Sequence, residues 1–154
     1  MTGKTGNQNA LAFRYVLLST PEAVRETLTS LRRELESQHF FTCPGDMWEL
    51  VLAEVLNNIV EHAYGESPDG EIRFDVKFDQ ARLMAGFVDK GTAMPEGALP
   101  SGNPTNLDVE QQNLPEGGFG WYLIQSLSDR LIYERKGSEN HLSLEMRLKM
   151  QADG

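Results

Sequence analysis

Apolar and polar residues alternate sharply in part of this chain and recur at helical spacing elsewhere. Ile72, Phe74, Val76 and Phe78 occupy every second position of the run 71–78, the period of a strand with one buried face. The run 82–89 follows, and Asp79-Gln80 between them suits a turn, so a β-hairpin is predicted. Residues 11–18, LAFRYVLL, are rich in β-branched and aromatic side chains and read as a strand. Ser19-Thr20-Pro21-Glu22 then has the makings of a helix start: a capping hydroxyl, a proline for the first turn and an acid for its positive end. Ala23, Val24, Leu28, Leu31 and Leu35 continue it at helical spacing, to about Gln38.

A second helix is predicted over 47–64, behind Pro44-Gly45 with Asp46 as its cap. Leu50, Val51, Val55, Ile59 and Ala63 form its apolar side, which Leu52, Leu56 and Val60 widen. So broad a stripe belongs deep in a domain. Gly65 and Pro68 end it. Residues 90–116 contain Pro95, Pro100, Pro104 and Pro115 and show no period, which marks a lid or an insert. A helix opens at the glycines 117, 118 and 120, and a last hairpin (131–136 and 141–149) turns at Gly137-Ser138. Residues 1–10 read as a flexible arm and 11–150 as a single domain with a lid at 90–116. The order β-α-α-β-β-lid-α-β-β predicts an α+β fold: a two-layer sandwich with a mostly antiparallel sheet and helices on one face.

Composition narrows the function. A length of 154 residues suits one domain with a real core. The formal net charge of -9 disfavours nucleic acid and anionic membranes. Cys43 stands alone, which fits a reducing compartment. The first residues lack the apolar core of a signal peptide, and no run approaches a membrane span, so a cytoplasmic protein is expected.

Three constellations carry chemistry. Glu54 and Asn58 lie one turn apart on one helix face, and His62 extends the row. An Asn amide oxygen suits a hard cation such as Mg²⁺, and a carboxylate beside it can accept a proton from a nucleophile. The same stripe equally fits the solvated face of an amphipathic helix. Asp89-Lys90-Gly91 sets a carboxylate at a strand end, able to accept from an exocyclic amine, with a glycine that lets backbone approach a flat ring. It also reads as a plain turn. Gly117-Gly118-Phe119-Gly120 precedes a helix and forms a site for a triphosphate, or an ordinary helix entry. The three sets occurring together and in this order favour the chemical reading.

In that order, the set resembles the GHKL ATPase superfamily with its Bergerat-type fold, and most closely the bacterial anti-sigma-factor serine/threonine kinases. Glu54-x-x-x-Asn58-x-x-x-His62-Ala63-Tyr64 is similar to the family's helix motif, Asp89-x-Gly91 to its adenine box, and Gly117-Gly118-Phe119-Gly120 with Leu127-Ser128-Asp129 to its second glycine box. The resemblance covers roughly residues 10–149. It implies an ATP- and Mg²⁺-dependent kinase with Glu54 as general base, Asn58 on the metal, Asp89 on the adenine amine and Gly117 to Gly120 around the phosphates. His62 is placed either beside the phosphates or packed among its helix neighbours. The implied partners are an anti-anti-sigma (STAS-type) protein that accepts phosphate on serine, a sigma factor, and a second copy in a homodimer. The alternative is a non-catalytic or ATP-gated module that sequesters a sigma factor or another regulator. Ala93 stands where the family usually has a further glycine, and for its late adenine-holding threonine the sequence offers only Ser143.

Overall fold

Polar–apolar alternation predicts which side of the run 71–78 is buried, and the fold follows it closely. A computed structural model describes residues 10–79, 81–95 and 116–149, with residues 116–119 by backbone alone. The strands are β1 (Leu11–Leu18), β2 (Glu71–Phe78), β3 (Arg82–Asp89), β4 (Arg130–Lys136) and β5 (Glu139–Arg147). They form one sheet in the order β1-β2-β3-β5-β4, and every pairing is antiparallel. The helices are α1 (Pro21–Ser37), α2 (Trp48–Asn58) and α3 (Glu116–Leu127).

One face of the sheet is the core. Ile72, Phe74, Val76 and Phe78 of β2 point into it with Leu83, Ala85 and Phe87 of β3 and Leu142, Leu144 and Met146 of β5. Val24, Leu28, Leu31 and Leu35 of α1 cover them, with Val51, Leu52, Val55 and Leu56 of α2 and Ile124 of α3. Each such large side chain contributes about 1.5–3 kcal/mol on burial. Phe74 stacks on Phe87 with ring centres 5.2 Å apart, and Trp48 meets Phe78 edge-on at 5.2 Å. The opposite face is open and carries exposed Val16 and Leu18 beside charged residues. The α+β sandwich with helices on one side is therefore the observed architecture.

Local chemistry explains the helix ends. Thr20 caps α1, its hydroxyl accepting from the Ala23 N–H at 3.0 Å, with Pro21 in the first turn. Asp46 acts one residue outside the position expected of a cap. Met47 holds the N-cap, while an Asp46 carboxylate oxygen accepts from the Trp48 N–H at 3.1 Å. The other oxygen accepts from the Lys149 N–H at 2.7 Å, which ties the start of α2 to the segment just after β5.

Two features differ from the expected elements. The second helix is not uniform: after Asn58 it widens into a π turn, Ile59–Ala63, closed by the Tyr64 N–H donating to the Ile59 carbonyl at 3.0 Å. Gly117 to Gly120 do not form a loop ahead of a helix; they lie in the opening turns of α3. Of the expected lid, residues 96–115 lie outside those described, as do residues 1–9 of the arm.

Candidate functional site

The site forms where the far half of α2, the end of β3, the start of β5 and α3 converge. A cleft of about 400 Å³ opens there, lined by Asn58, His62, Asp89, Thr92, Trp121 and Asn140, among others. Its wall is mostly apolar, with Val55, Ile59, Met94 and Leu142 among the contributors. A mostly apolar cleft with a few convergent polar groups is the form that small-molecule sites take.

Asn58 sits at its base and is buried. Its Nδ2 donates to the Glu54 carbonyl at 2.9 Å. Its Oδ1 is buried and has no hydrogen-bond partner among the described residues. A buried acceptor left unpaired costs about 1–3 kcal/mol, so the fold keeps this oxygen at a cost to stability. A neutral amide oxygen of this kind fits a divalent cation. Among the described residues, no group of three or more His, Cys, Asp or Glu gathers to hold a metal alone.

Glu54 lies one turn earlier, half-buried, at the margin of the cleft and outside its lining. Burial, and then the nearby Glu61 charge, raises its carboxyl above the ordinary value. Gly120 of α3 passes so close that a Cβ there would collide with Glu54 Oε1 and lie 3.4 Å from Asn58 Nδ2. His62 lines the cleft but is exposed, with Nε2 3.7 Å from Glu61. Asn57, beside Asn58 in sequence, turns away into the groove between α1 and α2.

Asp89 ends β3 and is only 4% exposed. Its Oδ1 accepts from the Gly91 N–H at 2.8 Å and from Asn140 Nδ2 at 2.7 Å. Both of these hydrogen bonds fall on Oδ1, and none to Oδ2 is seen among the described residues. Burial raises the Asp89 carboxyl above its ordinary value, against the hydrogen bonds from Asn140 and Gly91 and the nearby Arg135 and His141. Gly91 is required by packing: a Cβ there would run into the Ala63 backbone, and the next residue's N–H donates to the Ala63 carbonyl at 2.7 Å. The π turn thus docks directly on the loop that leaves β3. Such π turns recur at functional sites.

These two glycines should respond differently to alanine. Gly91→Ala forces backbone apart and is expected to cost about 1–3 kcal/mol in a denaturant melt. Gly120→Ala meets the end of a flexible side chain, so stability should hold within about 1 kcal/mol while ligand affinity falls. Equal destabilisation by both would refute this contrast.

Sequence reasoning missed several residues here. Asn140 lies directly across from Asp89 in the β3–β5 pairing. Tyr133, Arg135 and Tyr64 also hold the loop, with the Tyr64 hydroxyl accepting from the Lys90 N–H at 2.7 Å and donating to the Glu71 carbonyl at 2.6 Å. Ser143 lies outside the cleft lining, on the exposed face of β5, paired with Gly86 and Ile132, because it has the opposite strand parity to buried Asn140. The signal was available, since Asn140 shares the parity of Leu142, Leu144 and Met146. His141 likewise has a partner, with Nε2 3.0 Å from Glu139.

Several known proteins resemble this chain in sequence. A family profile described as "Histidine kinase-like ATPase domain" matches residues 17–146. The serine-protein kinase RsbW of Bacillus cereus is 36% identical over 84 residues, covering 53% of this chain and 51% of that protein. The serine/threonine-protein kinase BtrW of Bordetella bronchiseptica is 32% identical over 92 residues, 59% of this chain and 62% of that protein. The chain spans about half the length of the first of these relatives. A solved catalytic domain of the histidine kinase ThkA aligns at 12% identity with a TM-score of 0.43, over 92% of this chain and 99% of that one. No helix among the described residues is long and apolar enough to cross a membrane.

Proposed function

Because the chain belongs to the family of histidine kinase-like ATPase domains, we propose that its cleft binds Mg²⁺–ATP and that it transfers the γ-phosphoryl group to a serine of a partner protein. The observation that carries this reading is the buried, unpartnered Asn58 Oδ1 in a cleft that Asp89 also lines, with the hydrogen bonds to that carboxylate falling on Oδ1. One suits a cation and the other an exocyclic amine. The apolar lining that Ile59, Met94 and Leu142 contribute suits a purine ring.

Each residue then has a role its position supports. Asp89 accepts from the adenine amine, while Gly91 keeps the loop close to the ring. Asn58 would hold Mg²⁺, which when bound neutralises phosphate charge during transfer. The start of α3, whose Gly120 lies against Glu54 and Asn58, would offer backbone N–H groups and a positive helix end to the phosphates. Glu54, raised above the ordinary carboxyl range, takes the proton of the attacking serine hydroxyl; a base performs best with a pKa near the working pH. His62 is exposed at the margin and free to approach the phosphates.

The serine acceptor is assigned to an anti-anti-sigma (STAS-type) protein and the second partner to a sigma factor, on the strength of the sequence resemblance and of relatives named as serine-protein kinases. A homodimer and a cytoplasmic location belong to the same reading. The first test is titration calorimetry with ADP, with and without Mg²⁺. Wild-type protein should bind with a clear Mg²⁺ dependence. Asp89→Asn presents a donor face to the adenine amine and should weaken ADP about 10- to 100-fold, the worth of a hydrogen bond to a charged group. Absence of binding at millimolar nucleotide would sink the proposal.

A further inference from the structure

Asp89 does not orient itself. Its Oδ1 is held by Asn140 Nδ2 at 2.7 Å, and the same amide nitrogen reaches the Thr92 carbonyl at 3.0 Å. The Asn140 side chain is itself fixed from the other side. Its Oδ1 accepts from the Tyr133 hydroxyl at 2.5 Å and from Arg135 Nη1 at 3.1 Å. Those donors fix which way the amide points: with the oxygen toward Tyr133 and Arg135, the NH₂ must face Asp89. Tyr133 in turn accepts from the Met94 N–H at 3.0 Å, and Arg135 donates to the Gly91 carbonyl at 2.7 Å. Asn140 is 5% exposed, so water cannot readily take over these bonds.

This has a consequence for base selectivity. With Oδ1 occupied by donors, only Oδ2 of Asp89 is left for a ligand, and it can only accept. A 6-amino purine offers a donor there. A 6-oxo purine offers lone pairs and is repelled. We propose that Asn140 is the positioning residue that sharpens this cleft's choice of a 6-amino over a 6-oxo purine nucleotide: the Asp89 carboxylate accepts in any orientation, and Asn140 fixes its plane so that Oδ2 is the oxygen left to meet the purine 6 position. The inference rests on the purine-nucleotide reading of the cleft and adds to it the residue that sets its selectivity.

The test compares ADP and IDP, which differ at the purine 6 position, by calorimetry in Mg²⁺ with wild type, Asn140→Leu, Asn140→Thr and Tyr133→Phe. Wild type should prefer ADP by about 10- to 100-fold. Asn140→Leu removes one of the two donors that hold Asp89 Oδ1, leaving the Gly91 N–H, loosens the carboxylate's alignment with the purine 6 position, and should reduce that preference severalfold. Asn140→Thr retains a hydroxyl donor and should recover most of it. Tyr133→Phe leaves Asn140 in place but frees its amide, so an intermediate preference is expected even if Asn140→Leu fails to fold. If the Asn140 and Tyr133 variants weaken ADP and IDP by the same factor, Asn140 merely props the loop, and the inference is overturned while the nucleotide reading stands. If wild type binds neither nucleotide, both fall together.

Discussion

Glu54→Gln is expected to lower phosphoryl transfer about 10²- to 10⁴-fold while leaving Mg²⁺–ADP affinity within about threefold of wild type. The amide keeps the side chain's size and its place against Gly120 but cannot accept a proton. Glu54 also lies outside the lining of the cleft, so binding should hardly register the change. The readouts are labelled phosphate on a cognate anti-anti-sigma protein and calorimetry on the same sample. A pH profile adds a second check. Because Glu54 is raised above its ordinary value, the wild-type rate should fall with acidity at a pH above the usual glutamate range. A carboxyl whose folded pKa is raised stabilises the fold only while protonated: that contribution is full below the unfolded pKa and disappears as pH rises through the folded one. Glu54→Gln should therefore melt no lower than wild type near neutral pH, and any advantage should vanish in acid. A variant that retains full transfer would remove Glu54 from the chemistry.

Asn58→Ala should lose about a hundredfold in Mg²⁺-dependent nucleotide affinity without losing apo stability. Most substitutions of a buried residue destabilise. This one removes an acceptor that has no partner among the described residues, whose burial costs about 1–3 kcal/mol. It also puts a better helix former near the end of α2, a gain of roughly half a kcal/mol. Against these stand one lost hydrogen bond to the Glu54 carbonyl, about 1 kcal/mol, and a small volume that opens into the existing cleft. The expected result is an apo melting temperature equal to or above wild type, together with binding that no longer responds to Mg²⁺. A fall of several degrees with Mg²⁺ dependence intact would mean that Asn58 is a structural amide and that the cation lies elsewhere.

Strand and helix identity was legible because it is local. The alternation of Ile72, Phe74, Val76 and Phe78 and the stripe of Leu28, Leu31 and Leu35 each reflect burial of one face, and that period is written in neighbouring residues. Glu54, Asn58 and His62 could be grouped because a helix places positions four apart on one face. The widening to a π turn at Ile59–Ala63 was not legible. It answers to Thr92 and Gly91, which dock on the Ala63 backbone from a distant part of the chain.

The sequence by itself determined the order of helices and strands, the α+β class, the inward face of β2, and the residue types available for a cation and an amine. Only the tertiary structure decided which of them meet. Pairing β5 beside β3, with Asn140 opposite Asp89, brought the amide to the carboxylate, and crossing α3 over α2 brought Gly120 against Glu54. Strand order and register are settled by the joint packing of all the inward faces, and no local period encodes that. The acceptors left unpaired in the cleft are accordingly a property of the assembled fold.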